Sequence, residues 1–167
     1  MNIRKAKIDD LPAIMAIFAD AREYMHHSGN PNQWRGVWGE YPSRSLIEDD
    51  IARGKSYVCV HEDEIVCTFY FAVENDPTYQ KIEGAWLSDV PYGVVHRIAR
   101  TAKGKGAGEF CLEWCFAQHP NIRIDTHADN ATMISRLEKM GYTQCGIIRI
   151  DYEDFNGDPR TAFQKQG

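Results

Sequence analysis

Apolar residues recur at Leu11, Ile14, Met15, Phe18, Ala21 and Met25, a spacing that gathers them on one face of an α-helix. Asp9 or Asp10 stands where a cap would accept the first free amides, and Pro12 is tolerated in a first helical turn. Ahead of them Ile3, Lys5 and Lys7 alternate with Arg4, Ala6 and Ile8, a weak strand pattern. From His26 to Tyr41 the helical period is broken by Gly29, Pro31, Gly36 and Gly39. Ser43 or Ser45 then starts a short helix through Ile51, stopped by Gly54. Ser56 to Val60 and Ile65 to Val73 read as the strands of a hairpin turned at Glu62-Asp63-Glu64. Asn75 to Asp89 carries neither period clearly and is expected to be a loop. A strand over 92–99, a helix over 106–118, a strand over 122–127 and a helix over 131–140 follow. A strand from Gln144 to Tyr152, a turn at Asn156-Gly157-Asp158-Pro159 and a last strand from Thr161 to Gln164 end the pattern. A hairpin followed by β-α-β-α-β predicts an α/β (α+β) fold, a mixed sheet with helices on both faces.

Composition narrows the class. A chain of 167 residues is long enough for one domain over 1–167 with a real core. Its mean hydropathy of -0.48 and its charged fraction of 26% predict a soluble protein. No run approaches ~18 apolar residues, so no membrane partner is expected. A net charge of -5 argues against nucleic acid as a partner, since such surfaces are usually basic. The start, Met-Asn-Ile-Arg-Lys, lacks an apolar signal segment. Five cysteines without a C-x-x-C pair fit a reducing, cytoplasmic setting.

The most specific chemistry lies between Arg97 and Gly108. An apolar run from Tyr92 to Ala99 feeds a basic, glycine-rich turn, and the turn opens into the apolar pattern Phe110, Leu112, Trp114, Cys115, Phe116. No Asp or Glu stands between Val90 and Gly108, while Arg97, Arg100, Lys103 and Lys105 all do. Gly104, Gly106 and Gly108 would let backbone N–H groups approach a ligand without Cβ interference. A helix opening there presents unpaired donors and the positive end of its dipole. Such a strand, turn and helix suit a phosphate. A P-loop is excluded because Ala107, not Lys, follows Gly106. A dinucleotide fingerprint is excluded because Glu109 stands where its last Gly belongs. What remains is Gly-x-Gly-x-Gly. Downstream, the strand Ile122-Arg123-Ile124-Asp125-Thr126-His127 leads to Asn130, then to a helix pattern Met133, Ile134, Leu137, Met140 closed by Gly141-Tyr142.

These two ordered signatures resemble those of the GCN5-related N-acetyltransferases (GNAT), whose phosphate loop reads Arg/Gln-x-x-Gly-x-Gly/Ala and whose second signature is an Asn opening a helix that ends in Gly-Phe or Gly-Tyr. The resemblance runs from the first strand to about Ile150. It implies a twisted mixed sheet of about seven strands and about four helices, with two central parallel strands splayed apart. It implies acetyl-CoA as co-substrate, lying in that splay. The pyrophosphate would then rest on the backbone of Lys103, Gly104, Lys105, Gly106, Ala107 and Gly108. Ile98, Ala99 and Arg100 would pair with the pantetheine and acetyl group, one N–H facing the developing oxyanion, and Asn130 would contact the cofactor. The activity implied is acetyl transfer to a primary amine by direct attack in a ternary complex. The alternative of another class is a non-catalytic acyl-CoA-binding sensor or interaction module on the same fold.

Transfer to an amine requires a base, because a lysine-like ammonium of pKa ~10.4 must first lose a proton. His96, Asp125 and His127 are the candidates. His96 lies on the strand that would hold the acetyl group, Asp125 matches a strand position where some members carry Glu, and His127 follows Asp125 by two and so would share its face. Glu83, beside Trp86, is a further one. Two positions depart from the family pattern. The usual acid, a Tyr seven residues after the helix-opening Asn, is Leu137, which leaves the acid unassigned among residues such as Tyr142 and Tyr152. The Arg/Gln of the loop is Thr101. The aromatic stretch between the first two helices would border the acceptor, so Gln33, Trp34 and Tyr41, with Glu83, are candidate substrate residues. The acceptor would be a small-molecule or peptide amine, and a homodimer stays open as an assembly. Cys111, Cys115 and His119 fall at i, i+4, i+8 and could face a metal, but a structural zinc wants four ligands and no second cluster is visible. No metal is expected, and the cysteines are expected to pack against the sheet rather than to act as nucleophiles.

Overall fold

A computed structural model describes residues 1–28, 41–150 and 157–167. Strand β1, Asn2–Lys5, leads into a single turn of 3-10 helix at Ile8–Asp10 and then into α1, Leu11–His27. Asp10 fixes that corner. Its carboxylate accepts the Lys7 N–H at 2.7 Å and both Nη groups of Arg4. The apolar stripe of α1 delivers Leu11, Ile14, Ile17 and Phe18 to the interior. Helix α2, Arg44–Ala52, is capped by Ser43, whose Oγ accepts the Leu46 N–H. Strands β2, Ser56–His61, and β3, Glu64–Val73, form the expected hairpin. Glu62 and Asp63 both take positive φ, 49° and 63°, the turn whose twist matches that of the strands it joins.

The rest of the chain runs β4, Glu83–Gly84, β5, Gly93–Arg100, α3, Ala107–Gln118, β6, Asn121–Thr126, α4, Ala131–Lys139, β7, Thr143–Ile150, and β8, Asp158–Gln166. Among the described residues these strands make one sheet in the order β1-β2-β3-β5-β6-β8-β7-β4. Every neighbouring pair is antiparallel except β5 and β6. One face of the sheet buries Leu11, Ile14 and Phe18 against Val58, Tyr70, Val94 and Ile148. The other packs Cys111, Leu112 and Leu137 against Phe69, Val95, Ile122 and Phe163. No helix among the described residues is long and apolar enough to cross a membrane.

The eighth strand is the one the sequence pattern does not show. Glu83–Gly84 lies in the segment expected to be a loop and pairs with Ile147 and Gly146. The two backbones meet so closely that a Cβ on Gly84 would stand 2.2 Å from the Cys145 carbonyl and one on Gly146 would stand 2.1 Å from that of Glu83. Only glycines permit this approach. The last strand is longer than expected, and β1 ends before Ile8.

Two irregularities shape the centre. The parallel ladder of β5 and β6 holds only Gly93 to Ile122 and Val94 to Arg123, and beyond it the strands separate. On the other edge of β5, Ala99 faces Thr68 and His96 faces Tyr70, so Arg97 and Ile98 together oppose Phe69. This is a β-bulge, which bends the strand and re-aims its side chains.

The segment before β5 is tied down from β6 and β8. The Arg123 guanidinium lies between the rings of Trp86 and Tyr92, at 4.2 and 3.9 Å from their centroids, and donates to the Ser88 carbonyl at 2.6 Å. Gln164, fully buried, accepts the Leu87 N–H at 2.8 Å and donates to Asn121 at 2.7 Å. Arg123→Ala is expected to cost about 2–4 kcal/mol through the lost stacking and hydrogen bond, read by calorimetry as a fall in Tm of several degrees. Arg123→Lys should recover little of it, because an ammonium lacks the flat face that fits between two rings.

Candidate functional site

Two cavities meet on the sheet. The larger, of about 1010 Å³, is a cleft walled by α2, the segment 74–83 and β7. The smaller, of about 100 Å³, is the slot where β5 and β6 part, lined among others by Ile98, Ile124, Asp125, Asn130 and Met133. Tyr41, Thr78, His96 and Arg97 line both, so they form the passage between them.

His96 occupies that passage because it is the last residue of β5 before the bulge. Its Nε2 lies 2.6 Å from Asp76 Oδ2 and its Nδ1 3.8 Å from Asp125 Oδ1. Asp76 is held in turn. Its Oδ1 accepts the Thr78 N–H at 2.9 Å, and its own N–H donates to the Tyr92 hydroxyl at 3.0 Å. Burial pushes the Asp76 carboxyl upward, but the His96 hydrogen bond and charge and the Thr78 donors outweigh it and hold the group below the ordinary carboxylate range. When the ring is neutral, Asp76 is the acceptor that makes Nε2 the protonated nitrogen and leaves the Nδ1 lone pair on the side of Asp125. Asp125 is steadied by the Tyr79 hydroxyl, which donates to Oδ1. Two acceptors 3.8 Å apart are too far apart to bond to each other but can share one donor nitrogen at ordinary lengths of ~2.8–3.0 Å.

The glycine loop opens α3 as the sequence predicts, but its three glycines serve different ends. Gly104 has no room for a side chain, since its Cβ would lie 2.6 Å from the Val66 carbonyl. Its N–H bonds back to Thr101, through both carbonyl and hydroxyl. Gly106 carries the positive φ, 79°, and the space where its Cβ would point is empty to 4 Å. Gly108 sits in the first turn of α3, with Arg136 Nη1 the nearest atom to such a Cβ. Arg136 also neutralises Glu109, at 2.6 Å, so that carboxylate does not leave the helix entrance negative. Lys103 is engaged by Glu64 at 2.8 Å, and Arg100 by the Thr101 carbonyl.

The remaining predicted residues divide clearly. Ile98 and Asn130 line the slot, and Asn130 also caps α4 by accepting the Met133 N–H at 3.2 Å. Ala99 is buried at the end of β5. Tyr41 and Glu83 line the cleft, Tyr41 with its hydroxyl accepting from Arg97 and Glu83 paired with Arg149. His127 does not join Asp125 in lining the slot. Strand β6 ends at Thr126, the alternation stops there, and His127 instead accepts the Asp129 N–H at 3.1 Å and lines neither cavity. Gln33, Trp34 and Tyr152 lie outside the described residues. Tyr142 is buried in the core under α3, and burial, with Cys115 nearby, pushes its hydroxyl up. Leu137 is core.

Cys111 and Cys115 pack in the core with Cys59 and Cys67, as expected. A hydrogen bond with Cys67 and burial push the Cys111 thiol up, and burial pushes up that of Cys115. His119 lies 2.8 Å from the Pro91 carbonyl. Sequence reasoning misses Thr78, Tyr79 and Asp50, and it places Asp76 only among several acidic residues, with Glu40, Glu74, Glu83 and Asp89, that could favour a cationic amine. Asp76-Pro77-Thr78 does carry a local signal, an Asp whose side chain can accept the amide two residues on. Asp50 carries none.

Neither a family model nor a curated protein matches the chain. Solved structures do. An acetyltransferase of the GNAT family from Streptococcus agalactiae is 31% identical, with a TM-score of 0.88 over 99% of this chain and 95% of that one. The ribosomal-protein-S18-alanine N-acetyltransferase of Escherichia coli shares the fold at 15% identity and a TM-score of 0.63, over 98% of this chain and 92% of its own. Naa50 of Arabidopsis thaliana, solved with the bisubstrate analogue CoA-Ac-MVNAL, shares it at 15% identity and a TM-score of 0.63, over 99% and 98%.

Proposed function

This chain belongs to the GNAT family of acetyltransferases, and from that premise we propose that residues 1–167 form one domain that moves an acetyl group from acetyl-CoA to a primary amine by direct attack. The observation that carries the reading is His96, set between Asp76 and Asp125 where the cleft opens into the slot between β5 and β6. The residues present suit the co-substrate. The empty space over Gly106 and the first turn of α3 offer a pyrophosphate backbone donors and a helix dipole. Acetyl-CoA, when bound, supplies an acetyl group activated as a thioester.

The chain's own residues would do the rest. Ile98 in the bulge, and Ala99 and Arg100 beyond it, lie on a strand edge that has left its parallel partner, so their backbone groups are suited to pair with the pantetheine and to meet the oxygen on which charge develops. The cleft brings the amine. His96 Nδ1 and Asp125 would accept hydrogen bonds from it, and His96 would remove one proton, its imidazolium stabilised through Nε2 by Asp76; the amine nitrogen then bonds to the acetyl carbon as the C–S bond breaks and CoA leaves as the thiolate. A base of this kind contributes roughly 10²–10⁴-fold. The acceptor is an amine, small or peptidic, that reaches His96 through the cleft.

The test is turnover of acetyl-CoA against a panel of amines, polyamines, amino acids and peptides, followed by thiol release and by mass spectrometry of the acceptor. Acetylated product with at least one amine is the expected result. Tight acetyl-CoA binding with no product from any amine would overturn the catalytic reading in favour of a non-catalytic acyl-CoA-binding module.

A further inference from the structure

The passage between cleft and slot has a second tenant, Arg97, which is the residue at the bulge with positive φ, 51°. A non-glycine residue seldom adopts this conformation, and it persists where the surroundings over-determine it. Here they do so through the side chain. The guanidinium Nη2 donates to Asp50 Oδ2 at 2.6 Å, Nη1 donates to the Tyr41 hydroxyl at 3.2 Å, and the group lies over the Tyr70 ring at 4.8 Å. The pair is largely withdrawn from water, with the side chain of Arg97 10% exposed and that of Asp50 1%. Asp50 sits on α2, the wall of the cleft, and Arg53 approaches its other oxygen at 3.6 Å.

We propose that the buried Asp50–Arg97 ion pair is a positioning device: it holds Arg97 in the left-handed conformation, and so sets the bulge that aims the backbone of Ile98 and its neighbours at the transferred acetyl group. This rests on the acetyltransferase reading above. The Arg97 guanidinium is taken up by Asp50 of α2 and by Tyr41, while Ile98, the next residue of the strand, lines the slot. The ion pair thus ties the acceptor wall to the strand that would bind the acetyl group. A charge buried this deeply is costly without its partner, so the pair is rigid in the place where a donor shifted by a fraction of an ångström loses its effect.

The prediction separates backbone from side chain. D50N/R97A and D50N/R97G lack the same ion pair and leave nearly the same gap, but glycine takes a φ near +51° freely and alanine does not. D50N/R97A is expected to lose about 10²-fold in kcat, as when one oxyanion donor is removed, with acetyl-CoA affinity nearly unchanged. D50N/R97G is expected to regain at least ~10-fold of that loss. Crystal structures of both give the φ of residue 97 directly, whether or not an acceptor has been found: it should stay left-handed with glycine and leave that region with alanine. Equal kcat in the two variants, or an alanine that keeps the left-handed φ, would overturn the proposal. Failure of the parent to acetylate any amine would instead count against the acetyltransferase reading, leaving the conformational result to decide the role of the pair.

Discussion

His96→Ala is expected to lower kcat/KM for acetyl transfer by about 10²–10⁴-fold, while acetyl-CoA binds as before. The size follows from the proton the amine must lose before it can attack. A lysine-like ammonium is neutral in only a few parts in ten thousand near pH 7, given a pKa of ~10.4, and the His96 imidazole is placed where the cleft meets the slot. The deficit should therefore shrink as the pH is raised and the amine arrives already neutral. Asp76→Asn should come close to the same loss without removing the imidazole. Its amide can donate to Nε2 where the carboxylate accepted from it, which moves the ring proton to Nδ1 and takes the lone pair away from the amine. Asp125→Asn should act more on the acceptor KM, because Asp125 shares the amine without taking its proton. Steady-state kinetics from pH 6 to 9.5, with calorimetric Kd values for acetyl-CoA, check all three. If His96→Ala and Asp125→Asn both keep the parental kcat/KM and pH profile, neither is the base, and a water relay or a neutral acceptor takes their place.

What could be read from the sequence was whatever local periodicity or a short motif determines. The apolar stripe of α1, the hairpin at Glu62-Asp63, the helix opening at Gly106 and the cap at Asn130 all depend on neighbours within a few positions. The fork was legible only through the family resemblance, since nothing in the runs around Val94 and Ile124 says that two strands pair at one end and part at the other. The site's electrostatics were less legible still. His96 could be named from its strand, but its partners come from 20 and 29 positions away along the chain, and Asp76 looked like one surface carboxylate among several. Asp50 reads as an exposed acidic residue of a short helix until Arg97, re-aimed by the bulge, brings a guanidinium to it. The misreading of His127 has the opposite cause. Strict alternation was extended one residue past the point where hydrogen bonding stops enforcing it. The eighth strand escaped notice because two glycines give it close approach and contribute no pattern.

Gly106→Asp is expected to bind acetyl-CoA about 10²-fold more weakly than Gly106→Asn at low salt, with matching Tm values for the two. The pair is chosen for its shared cost. Position 106 has a φ of 79°, and any side chain there is strained by roughly 1–2 kcal/mol, though Asn and Asp tolerate the left-handed region better than others. The space a Cβ would enter is open to 4 Å, so neither variant clashes with the protein, and the two differ only in charge. A carboxylate ~6 Å from a phosphate charge at an effective dielectric of ~20 repels it by about 3 kcal/mol, which is the 10²-fold expected. The helix dipole, which favours an anion at this end, should keep the folded Asp variant at least as stable as the Asn one, so a loss of affinity cannot be blamed on unfolding. Raising the salt from 0.02 to 0.5 M in the titration should narrow the gap, since the loop is exposed and its charges are screened. Equal affinities for the two variants at low salt would remove the pyrophosphate from the Gly106 turn and require another seat for the co-substrate.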